Sequence, residues 1–129
     1  MAKSRFHSNR VVVLPAGAKG RGVFAKGDFV KDEVIESAPV IVLGRDEGKT
    51  LMRTELGRYG FDLGRQRVGV GLGYSSLYNH SRSNNAEFDS SPEVIRIIAV
   101  RNIRAGEEIT INYRATDLEL VQDGIPIDS

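Results

Sequence analysis

Apolar residues fall in short β-branched runs along this chain, separated by glycine-rich and polar interruptions. Residues 10–14 (Arg-Val-Val-Val-Leu) predict a first strand. Residues 15–22 contain Gly17, Gly20 and Gly22 and predict a loop. A short strand follows over 23–25, then a turn at Lys26-Gly27-Asp28 and another over 29–33. Strands at 34–36 and 40–43 lie on either side of Pro39, and 44–48 is a polar loop. Leu51, Met52, Leu56 and Tyr59 fall on one side of a short helix over 50–59. Arg65-Gln66-Arg67 is a turn, and 68–72 is a strand interrupted by glycine. A brief strand at 86–88 precedes a core strand at 94–100, rich in valine and isoleucine. A turn over 101–106 leads into a last strand at 108–113. The pattern predicts a mostly β domain over residues 10–114, with no internal repeat. Residues 1–9 read as a mobile basic arm. Residues 115–129 read as an acidic tail with one helical turn near 117–122.

The densest chemistry lies in residues 73–85. An apolar and aromatic lead-in containing Tyr74 and Tyr78 runs straight into Asn79-His80-Ser81, and Arg82-Ser83-Asn84-Asn85 reads as a turn. Polar groups set directly after a semi-buried run must find partners, because burying them unpaired is costly. They either knot the chain to itself or face a ligand. Gly20-Arg21-Gly22 has the same ambiguity: a plain turn, or a place where a ligand approaches the backbone closely. It is no dinucleotide fingerprint, since neither a third glycine at the required spacing nor a helical pattern follows. Glu107-Glu108 reads as a solvated turn pair.

Composition narrows the classes. The 129 residues allow one domain with a usable core. A net charge of +1 argues against an electrostatic nucleic-acid binder, although an acidic partner can still meet a local basic patch. There are no cysteines, which excludes disulfides, cysteine-ligated zinc and cysteine nucleophiles. The two histidines are far apart in sequence, which argues against a histidine metal cluster. No stretch is long and apolar enough to cross a membrane as a helix. The run Val11-Val12-Val13-Leu14 is too short for a secretory leader and is stopped by Pro15. The expected location is the cytoplasm.

Three stretches taken in order resemble the SET domain, the protein-lysine methyltransferase fold. They are Lys19-Gly20-Arg21-Gly22-Val23-Phe24-Ala25, Asn79-His80-Ser81 with Asn85, and Ala105-Gly106-Glu107-Glu108-Ile109-Thr110-Ile111-Asn112-Tyr113. The small size is similar to the single-domain SET proteins of bacteria and viruses. For a viral or intracellular-bacterial source, delivery to a host nucleus becomes the alternative location. The resemblance implies several small sheets with a pseudoknot-like threaded C-terminal segment. It implies S-adenosyl-L-methionine as cofactor and a protein substrate presenting a lysine, such as a histone tail or another basic protein. No direct nucleic-acid or membrane partner is implied, and a homodimer is compatible with the small size.

By the same resemblance, the Gly20, Arg21 and Gly22 backbone lines the cofactor pocket. Asn79 and His80 hold the cofactor's ends, and Tyr59 lies beside it unless it is a core aromatic. Tyr113 sits beside the transferring methyl unless it is a strand-end core tyrosine. Tyr74 is the tyrosine assigned to the lysine channel, with Tyr78 in the core. Phe88 lines the channel, where it would permit di- or trimethylation, or is a plain core residue. Two features depart from the family pattern. Ser37 stands where many members have a tyrosine after the glutamate at position 36, and the cysteine-rich zinc segment is missing. They keep a second reading open, a catalytically inactive SET-like interaction module. A cofactor-free β-rich scaffold is a more distant third.

Overall fold

The protein is described here by a computed structural model, covering residues 9–112. In chain order its elements are β1 (Val11–Pro15), β2 (Arg21–Ala25), β3 (Val34–Leu43), α1 (Arg45–Met52), β4 (Gly60–Gly64), β5 (Arg67–Gly71), β6 (Asn79–His80), β7 (Ala86–Ser90), β8 (Val94–Ala99) and β9 (Glu108–Ile111). Short 3₁₀ turns precede β2 and β4. The strands form two sheets, one in the order β1-β2-β9-β6 and one in the order β4-β5-β3-β8-β7. The basic arm and the acidic tail lie, apart from Asn9, outside the described residues.

The two sheets share a core. Val23 of β2, Ile97 of β8 and Ile109 of β9 are fully buried, and Phe29, Ile35, Tyr78 and Ile103 pack with them. Phe88 on β7 packs against this cluster and also against a smaller one formed by Ala38, Phe61 and Ile95. Strand β3 carries four consecutive buried residues, from Ile35 through Ala38, so both of its faces are covered. A register shift between Val34 and Glu36 interrupts its pairing with β8. Such a bulge re-aims side chains locally, and it occurs just where the acidic Glu36 must be accommodated.

Four segments differ from the sequence expectation. Strand β3 runs through Pro39 without a break. Its partner changes there: Pro39 is opposite Val94 of β8, and pairing with β5 begins at Val40. Proline's missing N–H is harmless at such a handover. The polar loop over 44–48 is instead the start of α1. A glycine inside a helix costs about 1 kcal/mol relative to alanine, but Gly48 is where the helix meets β5, and a Cβ there would run into Val68. The apolar stripe over 50–59 belongs to two pieces, since α1 ends at Met52 and a 3₁₀ turn spans Glu55–Tyr59. Gly57 packs against the Met52 backbone with no room for a side chain. Strand β4 has no counterpart in the sequence expectation. It forms a hairpin with β5 around Arg65 and Gln66, both at positive φ.

Strand β9 is the topological centre of the first sheet. It pairs antiparallel with β2 and parallel with the two-residue β6, through Asn79 opposite Thr110 and His80 opposite Ile111. So short a parallel pair needs support. The buried Asn85 supplies it. Its Nδ2 donates to the Glu108 carbonyl at 2.9 Å, and its Oδ1 accepts the Thr110 N–H at 2.9 Å. Asn85→Ala leaves both backbone groups without this partner. Urea unfolding is expected to show a loss of about 2–3 kcal/mol, with the m-value unchanged.

Candidate active site

The site is built where β2, β6 and β9 meet. Gly20 closes the first 3₁₀ turn at φ 86°, and nothing stands within 4 Å of where its Cβ would be. Gly22 is the opposite case. Its missing side chain leaves the space in which the Glu108 carboxylate, the Asn79 amide and Ala16 meet. Asn79 Nδ2 donates to the Arg21 carbonyl at 2.9 Å and to Glu108 Oε2 at 2.7 Å. Lys19 Nζ completes the chain by donating to Glu108 Oε1 at 2.8 Å. The structure therefore brings together Gly20, Arg21, Gly22 and Asn79 as the sequence motifs suggest. His80 follows Asn79 on β6 and is buried.

Glu108 corrects the expectation of a solvated turn pair. Its neighbour Glu107 is indeed exposed. The Glu108 side chain, however, is only 18% exposed and bridges Lys19 to Asn79. The alternation of β9 is the available signal: Ile109 and Ile111 are buried, and Glu108 is paired with Phe24 inside the sheet. Glu107 precedes the strand and faces solvent, whereas Glu108 is its first residue, so the two do not share one environment.

A second polar centre lies behind the first. Glu36 is 1% exposed and accepts two hydrogen bonds from the stretch that leads to Asn79. The Tyr78 hydroxyl donates to Oε1 at 2.6 Å, and the Tyr74 backbone N–H donates to Oε2 at 2.8 Å. Gly73, at φ 64°, lies so close that a Cβ would strike the same carboxylate. Glu36 thus fixes the path of residues 73–78 and the entry into β6. Burial drives the Tyr78 hydroxyl far above the ordinary tyrosine range, and the neighbouring Glu36 charge and hydrogen bond push it the same way. The sequence does not single out Glu36, because a lone acidic residue in a strand carries no motif. The run of apolar neighbours on both sides is the only hint that it is buried.

The remaining candidates take separate places. Tyr74 is half-buried against the main core beside this centre. Phe88 bridges the two apolar clusters, in register with Ile97. Tyr59 ends the 3₁₀ turn before β4, and the hydrogen bonds that gather Arg21, Asn79 and Glu108 do not extend to it. Tyr113 lies outside the described residues. Ser37, in the position of the missing tyrosine, is buried. Among the described residues no group of histidines and acids is arranged to hold a metal ion.

The family model of the SET domain matches residues 20–114. This chain belongs to the SET-domain family. The SET domain is the fold of protein-lysine methyltransferases, and the likenesses run the same way. The chain is 32% identical over 98 residues to a Schizosaccharomyces pombe histone-lysine N-methyltransferase specific for H3 lysine-37. That match covers 74% of this chain and 67% of the relative. A Plasmodium falciparum protein assigned as a histone methyltransferase superposes with a TM-score of 0.65 at 28% identity, covering 79% of this chain and 90% of that one. A humanized Chaetomium thermophilum Polycomb Repressive Complex 2 superposes with a TM-score of 0.68 at 25% identity. There the match covers 82% of this chain but only 15% of the much longer one.

The Tyr78–Glu36 bond has a measurable signature. A tyrosine whose folded pKa is raised contributes stability that is fully present below its unfolded pKa, about 10, and lost as pH rises above it. Stability of this SET domain is expected to fall above about pH 10 by a component that Tyr78→Phe removes. At neutral pH Tyr78→Phe leaves the buried carboxylate short of a donor and costs about 1–3 kcal/mol. Chemical denaturation across pH 7–11 in both proteins checks the two statements.

Proposed function

We propose that this chain transfers a methyl group from S-adenosylmethionine to the ε-amine of a lysine in a basic protein, a histone tail being the type of substrate its relatives suggest. The observation that carries the reading is the convergence of Gly20-Arg21-Gly22, Asn79 and Glu108 at the strand that precedes Tyr113 in the sequence. An open glycine edge at Gly20 beside fixed amide and carboxylate groups fits a ligand that is both charged and backbone-hugging.

When bound, S-adenosylmethionine supplies an activated methyl on a sulfonium. The backbone of Gly20-Arg21-Gly22 would line its amino-acid portion, and Asn79 and the His80 backbone would hold its ends. Glu36 keeps Tyr74 and the approach to Asn79 in place. Tyr74 and Phe88 would wall the lysine channel. Their apolar surfaces exclude water and disfavour the ammonium, whose pKa is ordinarily about 10.4. The neutral amine is the nucleophile, and in-line positioning provides much of the acceleration. The Tyr113 hydroxyl would orient that amine. Its ordinary pKa near 10 makes it a poor full base, so its role is orientation.

Ser37 in the tyrosine position supports a second reading, a SET module that binds proteins without turnover. Titration calorimetry with S-adenosylmethionine separates the two. Wild type is expected to bind saturably, and Asn79→Ala to bind at least about 10-fold more weakly, the loss of one good hydrogen bond to a charged group. Absence of binding to the wild type at millimolar cofactor would favour the module. Tyr113→Phe is expected to bind cofactor as wild type does and to lose methyl transfer to a histone peptide by about 100-fold or more.

A further inference from the structure

A groove of about 770 Å³ opens between α1 and the β4–β5 hairpin, away from the hydrogen bonds that gather Asn79 and Glu108. Its rim is cationic. Arg45, Lys49 and Arg53 recur every fourth residue and therefore form one row, about 6 Å apart by helical rise. Arg67 of β5 adds a fourth cation, and Asp62 is the one carboxylate among the described lining residues. Met52 and Val68 supply apolar surface. The ion pairs Arg10–Glu33, Lys19–Glu108 and Arg58–Glu55 all lie elsewhere. So much positive charge in one groove, on a chain of net charge +1, implies an excess of negative charge elsewhere in the sequence.

That excess lies in residues 115–129, which contain Asp117, Glu119, Asp123 and Asp128 and no lysine or arginine. Apolar residues interleave with the acids, as in Asp117-Leu118-Glu119-Leu120. The segment is outside the described residues and enters here by its sequence alone. We propose that the cationic groove docks the chain's own acidic segment 115–129. Alternate side chains of an extended chain repeat every 6.6 Å or so, close to the spacing of the cation row. Reach is ample. Each residue beyond Asn112 spans up to about 3.3–3.6 Å, against a radius of gyration near 13 Å for a domain of this size. A nucleic-acid strand is the other polyanion to weigh. The lining aromatic, Phe61, is only 8% exposed and offers no stacking face, whereas acids with interleaved leucines match both the rim and the apolar surface. Docking also has a functional consequence: an acidic segment held in this groove is withheld from a basic substrate, so the groove and the substrate compete for it.

The chain contains no cysteine, so Ser129→Cys carries a single nitroxide on the 129-residue chain. Paramagnetic broadening is expected at the amides of Lys49, Gln66 and Arg67. It should disappear at 1 M salt, where screening shortens to about 3 Å. It should also disappear in the paired variant Arg45→Glu, Lys49→Glu. Asp117→Asn with Glu119→Gln should release the label equally while leaving the groove untouched, which keeps the test valid if the first variant misfolds. Broadening centred elsewhere, or none, overturns the proposal. So does broadening seen only when spin-labelled and isotope-labelled chains are mixed, which would mean docking between copies. The proposal also fails if the label is never near the groove yet a fluorescein-labelled single-stranded 12-nucleotide DNA binds there with sensitivity to the paired variant.

Discussion

The fold depends on how β9 is held. This strand of four residues lies between β2 on one side and β6 on the other, one pairing antiparallel and the other parallel. Neither neighbour alone could fix it. The β2 register covers Val23 and Phe24, and β6 offers only two residues. Burial of Ile109 and Ile111 supplies the driving force, and the side chain of Asn85 supplies the register by bonding the backbone on both sides of Ile109. A one-residue slip would turn Glu108 into the core and Ile109 toward Asn79, so the polar and apolar demands enforce the same alignment.

This arrangement explains why the polar residues of the central stretch serve two purposes at once. Asn79 ties β6 to the Arg21 carbonyl and to Glu108, which makes it a structural knot. The same bonds hold it against Gly22 and close to the open backbone edge at Gly20. The bland and the functional interpretations of Asn79 are therefore not rivals. Glu36 does for the approach to β6 what Asn85 does for β9, with a buried carboxylate in place of an amide. Both side chains belong to the group whose loss is felt strongly, because their removal leaves buried partners behind.

Much of the fold was legible in the sequence, and the failures are informative. The β-branched runs of β1, β2, β8 and β9 were readable because propensity and burial agree there. Pro39 misled because its effect depends on which side of the strand is paired, which no local pattern encodes. The glycine of α1 misled for a related reason. Gly48 is required by the approach of Val68, and a requirement set by a distant residue looks locally like a loop. At the candidate site, motif order singled out Asn79, His80 and the glycine pair, and the structure places Asn79 against Arg21, Gly22 and Glu108. Glu36 and Glu108 were not legible as partners, because each is defined by residues about 30 to 90 positions away.

The placement of β9 also bears on how the chain acquires its structure. Val23 is opposite Val13 of β1 on one side, but its partner on the other side is Ile109, so the first sheet cannot close until nearly the whole domain has been synthesised. Until then β2 presents an unpaired edge and the β6 segment has no strand to join, both hazards for association with other chains. Non-local pairing of this kind slows folding through the entropy of closing so long a loop. The last of the described strands is also the one that carries Glu108 to Asn79, so that polar cluster cannot form before it.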